Sequence, residues 1–419
     1  MQESLTVVIC VDHASVIGGQ AKVAIESAIG LKRSGSRAVL FAASAPVDSR
    51  LGKEGVEVVC LDQHDILGNP SRVAAARQGT WNGSAATALK ALLASLPRER
   101  TIVHMHGWAK ALSPSIVVPL RASGLPALYT VHEYSLFCPN GGFYDYSKSA
   151  VCKLKPMSLS CLATHCDSRN YPHKIWRFGR LFAARTLLRM PTAFSDYICI
   201  SDYQADIAAP YLPQGAIIHR LSNPIEASDL GPKPNPSSGA FVFVGRLSPE
   251  KGASLFAEAA ARVGVAPTFI GDGPIARELR AKYPSSRFLG WLPPEKAREE
   301  MRAARVLVFP SLWYEGQPLT VLEAKAMGTP VVVSDVCAGR EEIEDGVSGL
   351  WFKSADVDAL ARALERLKDD RLVADMSKSA YENYWRNPPT LDAHIAGLMA
   401  IYQGMLDSRR HARSNGPSI

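Results

Sequence analysis

The 419 residues contain no apolar run of about 18, the least a helix needs to cross a bilayer, so no membrane-spanning helix is expected. No charged leader precedes an apolar stretch: Met1-Gln2-Glu3-Ser4-Leu5 leads straight into a strand pattern, and the expected location is cytoplasmic. The three-glycine G-x-G-x-x-G spacing of dinucleotide-binding turns is absent, which removes that fingerprint from the first strand-to-helix turn. The eight cysteines form no pair of C-x-x-C knuckles. No aromatic RNA-binding or DNA-reading motif accompanies the formal charge of +7, so nucleic acid is not an expected partner.

What is present is the composition of a globular protein, 47% hydrophobic and 21% charged. The length exceeds one ordinary core and suggests two domains of about 200 residues. Strand and helix patterns alternate throughout, which argues for parallel sheets with crossover helices. Strands are expected at Leu5–Cys10, Ala38–Ala42, Val56–Cys60, Thr101–His104, Ala127–Val131, Tyr197–Ile200 and Ile217–Arg220. The Gly/Pro/Ser-rich run from Gly231 to Gly239 reads as a linker, so the boundary falls near 235. The pattern restarts with strands at Ala240–Val244, Thr268–Ile270, Arg287–Leu289, Val306–Phe309, Val331–Ser334 and Gly349–Phe352. After Asn387-Pro388-Pro389 a last amphipathic helix, Leu391–Leu406, is expected to pack back on the first domain, and the polar tail from Ser408 to be disordered.

The run from Trp313 to Glu323 places Glu315 and Glu323 on either side of a helix start, just after a buried strand. Pro318 suits the first helical position, where its missing N–H costs nothing, so Gly316, Gln317 and Leu319 sit near free amides. An anion belongs there, and carboxylates on both sides suit hydroxyls, the layout of a diphosphate flanked by two sugars. Gly245-Arg246-Leu247-Ser248-Pro249-Glu250-Lys251 follows another strand of the same domain, and its Arg246 and Lys251 supply two cations for that diphosphate. In the first half, Gly18-Gly19 opens the helix Ala21–Lys32 and permits close backbone approach, as an anion-binding turn or as a plain tight turn.

His104, His106 and His132 stand at strand ends without a carboxylate at metal spacing; His132 is read as a hydrogen-bonding group for a sugar, and one of the others as a core histidine. Cys138, Cys152, Cys161 and Cys166 lie 14, 9 and 5 positions apart in an irregular insertion, leaving a structural zinc site or packed free thiols as readings. Cytoplasmic placement disfavours disulfides. Arg169, Lys174, Arg177, Arg180, Arg185 and Arg189 interleave with Trp176, Phe178, Leu181, Phe182, Leu187 and Leu188. Over 169–190 this is either a basic amphipathic helix for an anionic membrane surface or a solvated helix with a core face.

These motifs together resemble the GT-B glycosyltransferases, specifically the large retaining group called family 4. The resemblance is strongest over about 240 to 352, through GRLSPEKG, GDGP, WYEGQPLTVLEAKAMGTPVVVSD and GVSGLWF, and it reaches the first half through Gly18-Gly19 and His132. It implies an α/β fold of two Rossmann-like, doubly wound parallel-sheet domains facing across a cleft. Residues 1–230 would bind the acceptor, with an insertion at about 135–175; 240–386 would bind the donor, 387–407 would pack back, and 408–419 would be tail. The implied donor is a nucleotide sugar, UDP- or GDP-linked, with no other cofactor and no metal required. The implied acceptor is a glycan, lipid-linked glycan or glycolipid in surface polysaccharide biosynthesis, handled in the cytoplasm and peripherally at the inner face of the cell membrane.

By the same resemblance Arg246 and Lys251 hold the diphosphate, Glu315 contacts the donor sugar and Glu323 the ribose. Gly245, Gly271, Asp272 and Gly273 lie beside the nucleotide, Trp291 near the base, and Gly316, Gln317, Pro318, Leu319 and Thr320 around the phosphates. Gly18 and Gly19 approach from across the cleft, and His132 faces the reacting sugar. Many relatives have glycine where Pro318 stands, so the amide contact of that position must come from a neighbour. A nucleotide-sugar epimerase of the same architecture and a non-catalytic binding subunit are the alternatives; the intact Arg246, Lys251, Glu315 and Glu323 argue against the second.

Overall fold

The computed structural model describes residues 4–414, with side chains to residue 411. The start at Met1–Glu3, where no leader is expected from the sequence, and the last residues, 415–419, of the expected tail lie outside the described residues. Seven parallel strands form the first sheet: β1 (Thr6–His13), β2 (Arg37–Ser44), β3 (Glu57–Cys60), β4 (Thr101–Met105), β5 (Ala127–Val131), β6 (Asp196–Cys199) and β7 (Ile217–Arg220). Six more form the second: β8 (Phe241–Val244), β9 (Thr268–Ile270), β10 (Arg287–Gly290), β11 (Val306–Phe309), β12 (Val331–Ser334) and β13 (Gly349–Phe352). The spatial orders are β3-β2-β1-β4-β5-β6-β7 and β10-β9-β8-β11-β12-β13. Each sheet therefore reverses its direction of growth once, between β1 and β4 and between β8 and β11, and a crevice opens beyond the carboxyl ends of those strands.

Central strands are apolar on both faces because helices cover both. All eight residues of β1 are buried, as are all four of β11. One helix, α1 (Gly19–Arg33), follows β1 and packs Val23, Ala24, Ile25 and Ala28 inward. The counterpart after β11 is treated below.

The helix α2 (Tyr171–Phe182) corrects the reading of 169–190 as a basic outer face. Lys174 and Arg180 are buried. The Arg180 guanidinium donates to the Ala109 carbonyl at 2.8 Å and lies 4.8 Å from the Trp176 ring centre, while burial lowers its pKa to about 10. Arg177 pairs with Asp167 at 3.4 Å, and Arg185 donates to the Leu136 carbonyl at 2.8 Å. Tyr171, Ile175 and Phe182, with Leu187 beyond the helix end, face outward, and of the cations over 169–190 only Arg169 and Arg189, on either side of the helix, are exposed. Arginine can serve inside when carbonyls and ring faces receive its five N–H groups, so charge alone does not choose the wet face.

The insertion before α2 holds a short antiparallel pair, Tyr144–Asp145 with Ala150–Val151. Cys138, Cys161 and Cys166 are buried within it. The Lys174 ammonium donates to the Cys166 thiol at 3.0 Å and reaches the Cys161 thiol at 3.6 Å. Among the described residues no group of three His, Cys, Asp or Glu side chains is arranged to hold a metal ion. The Lys174 ammonium thus lies between two of the thiols that a zinc reading would have paired.

The chain passes between the two sheets twice, through residues 221–240 and 387–390. The crossings are tied together: the Ile225 amide donates to the Pro389 carbonyl at 2.8 Å, and His394 bonds the Ser222 carbonyl at 2.9 Å. Before the first crossing, α3 (Asp202–Ala208) belongs to the first sheet; between the crossings, α4 (Leu319–Ala326) belongs to the second. The last helix, α5 (Leu391–Ser414), lies on α1, with Ile395, Leu398, Tyr402, Met405 and Leu406 joining the core beneath the first sheet. It runs on through 408–414, where a disordered tail is expected from the sequence. Polar residues there are held: Arg409 donates to the Gly124 carbonyl at 2.7 Å, and Arg410 pairs with Asp407 at 3.5 Å. No helix among the described residues is long and apolar enough to cross a membrane.

Candidate active site

A cleft of about 410 Å³ lies between the carboxyl ends of the two sheets. On the second-domain side, the chain leaves β8 at Gly245 and turns through Pro249–Lys251, so that Arg246 and Lys251 both line the cleft. The Arg246 guanidinium is exposed there and takes no hydrogen-bond or ion-pair partner among the described residues. Two glycines make the turn possible. Gly252 has φ +72°, and a Cβ there would strike the Pro310 carbonyl oxygen; Gly271 has φ +131°, and a Cβ there would strike the Gly245 carbonyl oxygen. The Gly271-Asp272-Gly273 loop thereby buttresses the Arg246 turn, with the Leu247 amide donating to the Asp272 carbonyl at 2.9 Å.

Beyond β11, Glu315 enters the cleft with its side chain 14% exposed. Its Oε1 accepts from the Lys251 ammonium, from the Trp313 indole at 2.6 Å and from the Ser311 hydroxyl at 3.0 Å. Its Oε2 takes no donor among these contacts and remains for a ligand hydroxyl. The helix α4 begins at Leu319, with Pro318 as its N-cap at φ −76°, ψ 110°, so Pro318 stands just before the first helical position that the sequence suggests for it. Proline at the cap still sacrifices no intrahelical bond, and the first-turn amides of Leu319 and Thr320 stay free. Leu319 packs against Gly19, where a Cβ would meet its Cδ1 at 3.7 Å. The amino ends of α1 and α4 thus face each other across the cleft, both presenting the positive end of a helix dipole.

The first-domain side carries a row of imidazoles. His132, after β5, lines the cleft, and its Nε2 lies 2.9 Å from His106 Nδ1. His104 sits behind, bonded to Tyr402 at 2.7 Å and Thr130 at 2.6 Å, as a satisfied core histidine. Burial pushes His132 down to about 3 and holds His104 and His106 well below the ordinary imidazole value. His106 Nε2 is buried without a partner, so the proton is assigned to Nδ1, donated to His132. His132 then carries its own proton on Nδ1, the nitrogen left for the cleft.

Of the residues singled out in the sequence, the cleft gathers Gly18, Gly19, His132, Arg246, Lys251, Glu315, Gly316, Gln317 and Leu319. Gly245, Gly271, Asp272, Gly273, Pro318 and Thr320 lie behind or beside that lining, and Trp291 is 80% exposed at the end of β10. Gln317 joins neighbouring segments, since its Oε1 accepts from the Asn223 amide at 2.8 Å and its Nε2 donates to Glu342 at 3.1 Å. Glu323 lies one turn inside α4, where burial raises its pKa and Lys22 of α1 stands 4.0 Å away. Sequence reasoning missed His13, Lys110 and Glu133, which also line the cleft. All three stand at or just beyond the carboxyl ends of β1, β4 and β5, a position that could have flagged them.

Residues 238–370 match the family of glycosyl transferases group 1. The chain is similar to the UDP-Gal:alpha-D-GlcNAc-diphosphoundecaprenol alpha-1,3-galactosyltransferase of Escherichia coli, 29% identical over 301 residues, covering 66% of this chain and 69% of that protein. It is 33% identical over 202 residues to the D-inositol 3-phosphate glycosyltransferase of Acidothermus cellulolyticus, covering 42% of this chain and 44% of that one. Among solved structures, the sucrose-phosphate synthase of Thermosynechococcus elongatus superposes with a TM-score of 0.72 at 18% identity, covering 96% of this chain and 100% of that one. HepE of Anabaena with UDP and glucose gives 0.66 at 15% identity, covering 94% and 99%. These likenesses establish that both sheets are arranged as in GT-B proteins.

Proposed function

We propose, from the premise that this chain is a GT-B glycosyltransferase, that it moves a sugar with retention of anomeric configuration from a UDP- or GDP-sugar to a glycan, lipid-linked glycan or glycolipid in surface polysaccharide assembly. The observation that carries the reading is the convergence of two helix amino ends, at Gly19 and Leu319, with the unpaired Arg246 and with Lys251. Breaking a bond from sugar to diphosphate releases negative charge on the leaving group. Two cations and first-turn amides stabilise that charge without a metal.

In this reading the second domain holds the donor and the first the acceptor. Arg246 and Lys251 grip the diphosphate, and Glu315 accepts from donor-sugar hydroxyls through its free Oε2. Glu323 accepts from the ribose, with the Gly271–Gly273 loop and Trp291 towards the base. His132 donates its Nδ1–H to the donor sugar. The lipid diphosphate named for the Escherichia coli relative and the UDP and glucose bound to HepE support the substrate classes. A lipid-linked acceptor would bring the chain to the cytoplasmic face of a membrane, where the outward Tyr171, Ile175, Phe182 and Leu187 offer an apolar stripe. Thermal-shift screening against UDP-, GDP-, ADP- and dTDP-sugars tests the donor class. A UDP- or GDP-sugar should raise the melting temperature by mass action, and stabilisation by neither would sink the reading.

A further inference from the structure

Beside the cleft, wholly on the first domain, lies a second and wider cavity of about 820 Å³. Trp81, at the end of the helix Arg72–Thr80, forms part of its wall and is 50% exposed. Its ring stacks on no other aromatic ring among those in contact within the described residues. Around it stand Gln63, His64, Asn69, Arg77 and Gln78. The side chains of His64 and Arg77 take no hydrogen-bond partner among the described residues. An open aromatic face ringed by amide, imidazole and guanidinium groups matches one chemical class well. A pyranose has a face of C–H bonds, slightly positive, that sits on the negative face of an indole, and a rim of hydroxyls that both donate and accept.

The two cavities share a wall. His13 lines the cleft and bonds Asp65 at 3.1 Å; the neighbouring residues Gln63 and His64 line the second cavity. Lys110 also lines the cleft, and its carbonyl accepts from the Ile66 amide at 2.9 Å. The next residue, Ala111, accepts through its carbonyl from Asn82 at 2.9 Å, and Asn82 in turn donates to Gln63 at 2.7 Å. A chain of sugars whose end lies beside His132 would therefore cross this single loop to reach Trp81.

We propose that the Trp81 cavity is a subsite for a sugar residue of the acceptor, removed from the hydroxyl that is glycosylated, with Trp81 as its platform. The acceptor is then an oligosaccharide and not a single sugar. This rests on the transfer reading above. The test uses the full chain on immobilised glycans running from monosaccharides to oligosaccharides, with the variants Trp81→Ala and Trp81→Phe. Wild type should bind oligosaccharides in preference to their single-sugar truncations, Trp81→Ala should weaken that binding about tenfold, and Trp81→Phe should keep most of it. Thermal stabilisation by the nucleotide sugar should be the same in all three, showing an intact fold and donor site. Equal glycan binding by wild type and Trp81→Ala, or no glycan binding by wild type, overturns the subsite. Glycan binding lost with Trp81 in a protein that no nucleotide sugar stabilises keeps the subsite and overturns the transfer reading.

Discussion

The second domain meets the cleft with a guanidinium and an ammonium, at Arg246 and Lys251, while the first meets it with His132 backed by His106, imidazoles that burial keeps uncharged, beside Lys110 and Glu133. The two sides are matched to opposite demands. In the proposed transfer, where a diphosphate would leave, fixed positive charge and helix amino ends would lower the barrier. Where the sugar would lose its bond, the anomeric carbon would become positive, and an imidazolium beside it would raise the barrier. A neutral imidazole that donates one N–H would hold the sugar without that penalty. The difference shows desolvation withholding charge locally, at the His132–His106 pair, while Arg246 and Lys251 concentrate it on the opposite wall.

The strongest challenge to this contrast is removal of the charged wall. Lys251→Ala or Glu315→Ala should each lower kcat about 100- to 1,000-fold with an unchanged circular dichroism spectrum. Wild-type turnover in both would break the assignment. Acid tests the buried imidazoles behind the cleft. His394, packed between Ser27 and Ser222, is lowered by burial from 6.5 to about 4. Below 6.5 the unfolded chain binds a proton that the folded chain refuses, so its contribution is complete above that pH and is lost as pH falls towards 4. Between pH 6.5 and 5 the loss is about 2 kcal/mol for this group, and the buried His104 and His106 act in the same direction. Urea midpoints at the two pH values measure it, and His394→Gln should flatten the slope.

A smaller effect probes how His132 is oriented. His106→Asn removes its partner and should lower kcat about tenfold while leaving the acceptor KM unchanged, as expected when a positioned hydrogen bond loosens. A change confined to KM would show that His106 does not position the reacting group. The smallest effect carries the contrast outside the cleft, to the two faces of α2. Phe182→Ser with Leu187→Ser should cut sedimentation with anionic liposomes roughly fivefold, and Arg169→Gln with Arg189→Gln should cut it less. The reverse ranking would restore a basic membrane face.

Legibility in the sequence followed the range of the interaction. The strands Val306–Phe309, Val331–Ser334 and Gly349–Phe352 occupy the residues that their apolar runs mark, because a strand covered on both faces is a local pattern. The glycine-bearing Arg246 turn and the start of α4 were legible for the same reason. The lysine inside the thiol cluster was not, since Cys161, Cys166 and Lys174 come from separate elements that meet only on folding. Nor was the orientation of α2: amphipathic spacing shows that a helix has two faces, and tertiary partners such as Ala109 and Leu136 decided which one turned inward. The cap that Glu341 supplies to the Asp202 and Tyr203 amides at the start of α3 spans two domains and leaves no local trace.

The double crossing of the chain has a mechanical consequence. Two bodies joined by one strand can swing in any direction, but bodies joined by two strands turn only about the line through both. Here the strands are latched to each other by the Ile225–Pro389 and Ser222–His394 bonds, so the two crossings form one narrow joint. A rotation of one domain about that joint would carry Arg246, Lys251 and Glu315 together, and the joint would choose the atoms they meet as much as the groups themselves do.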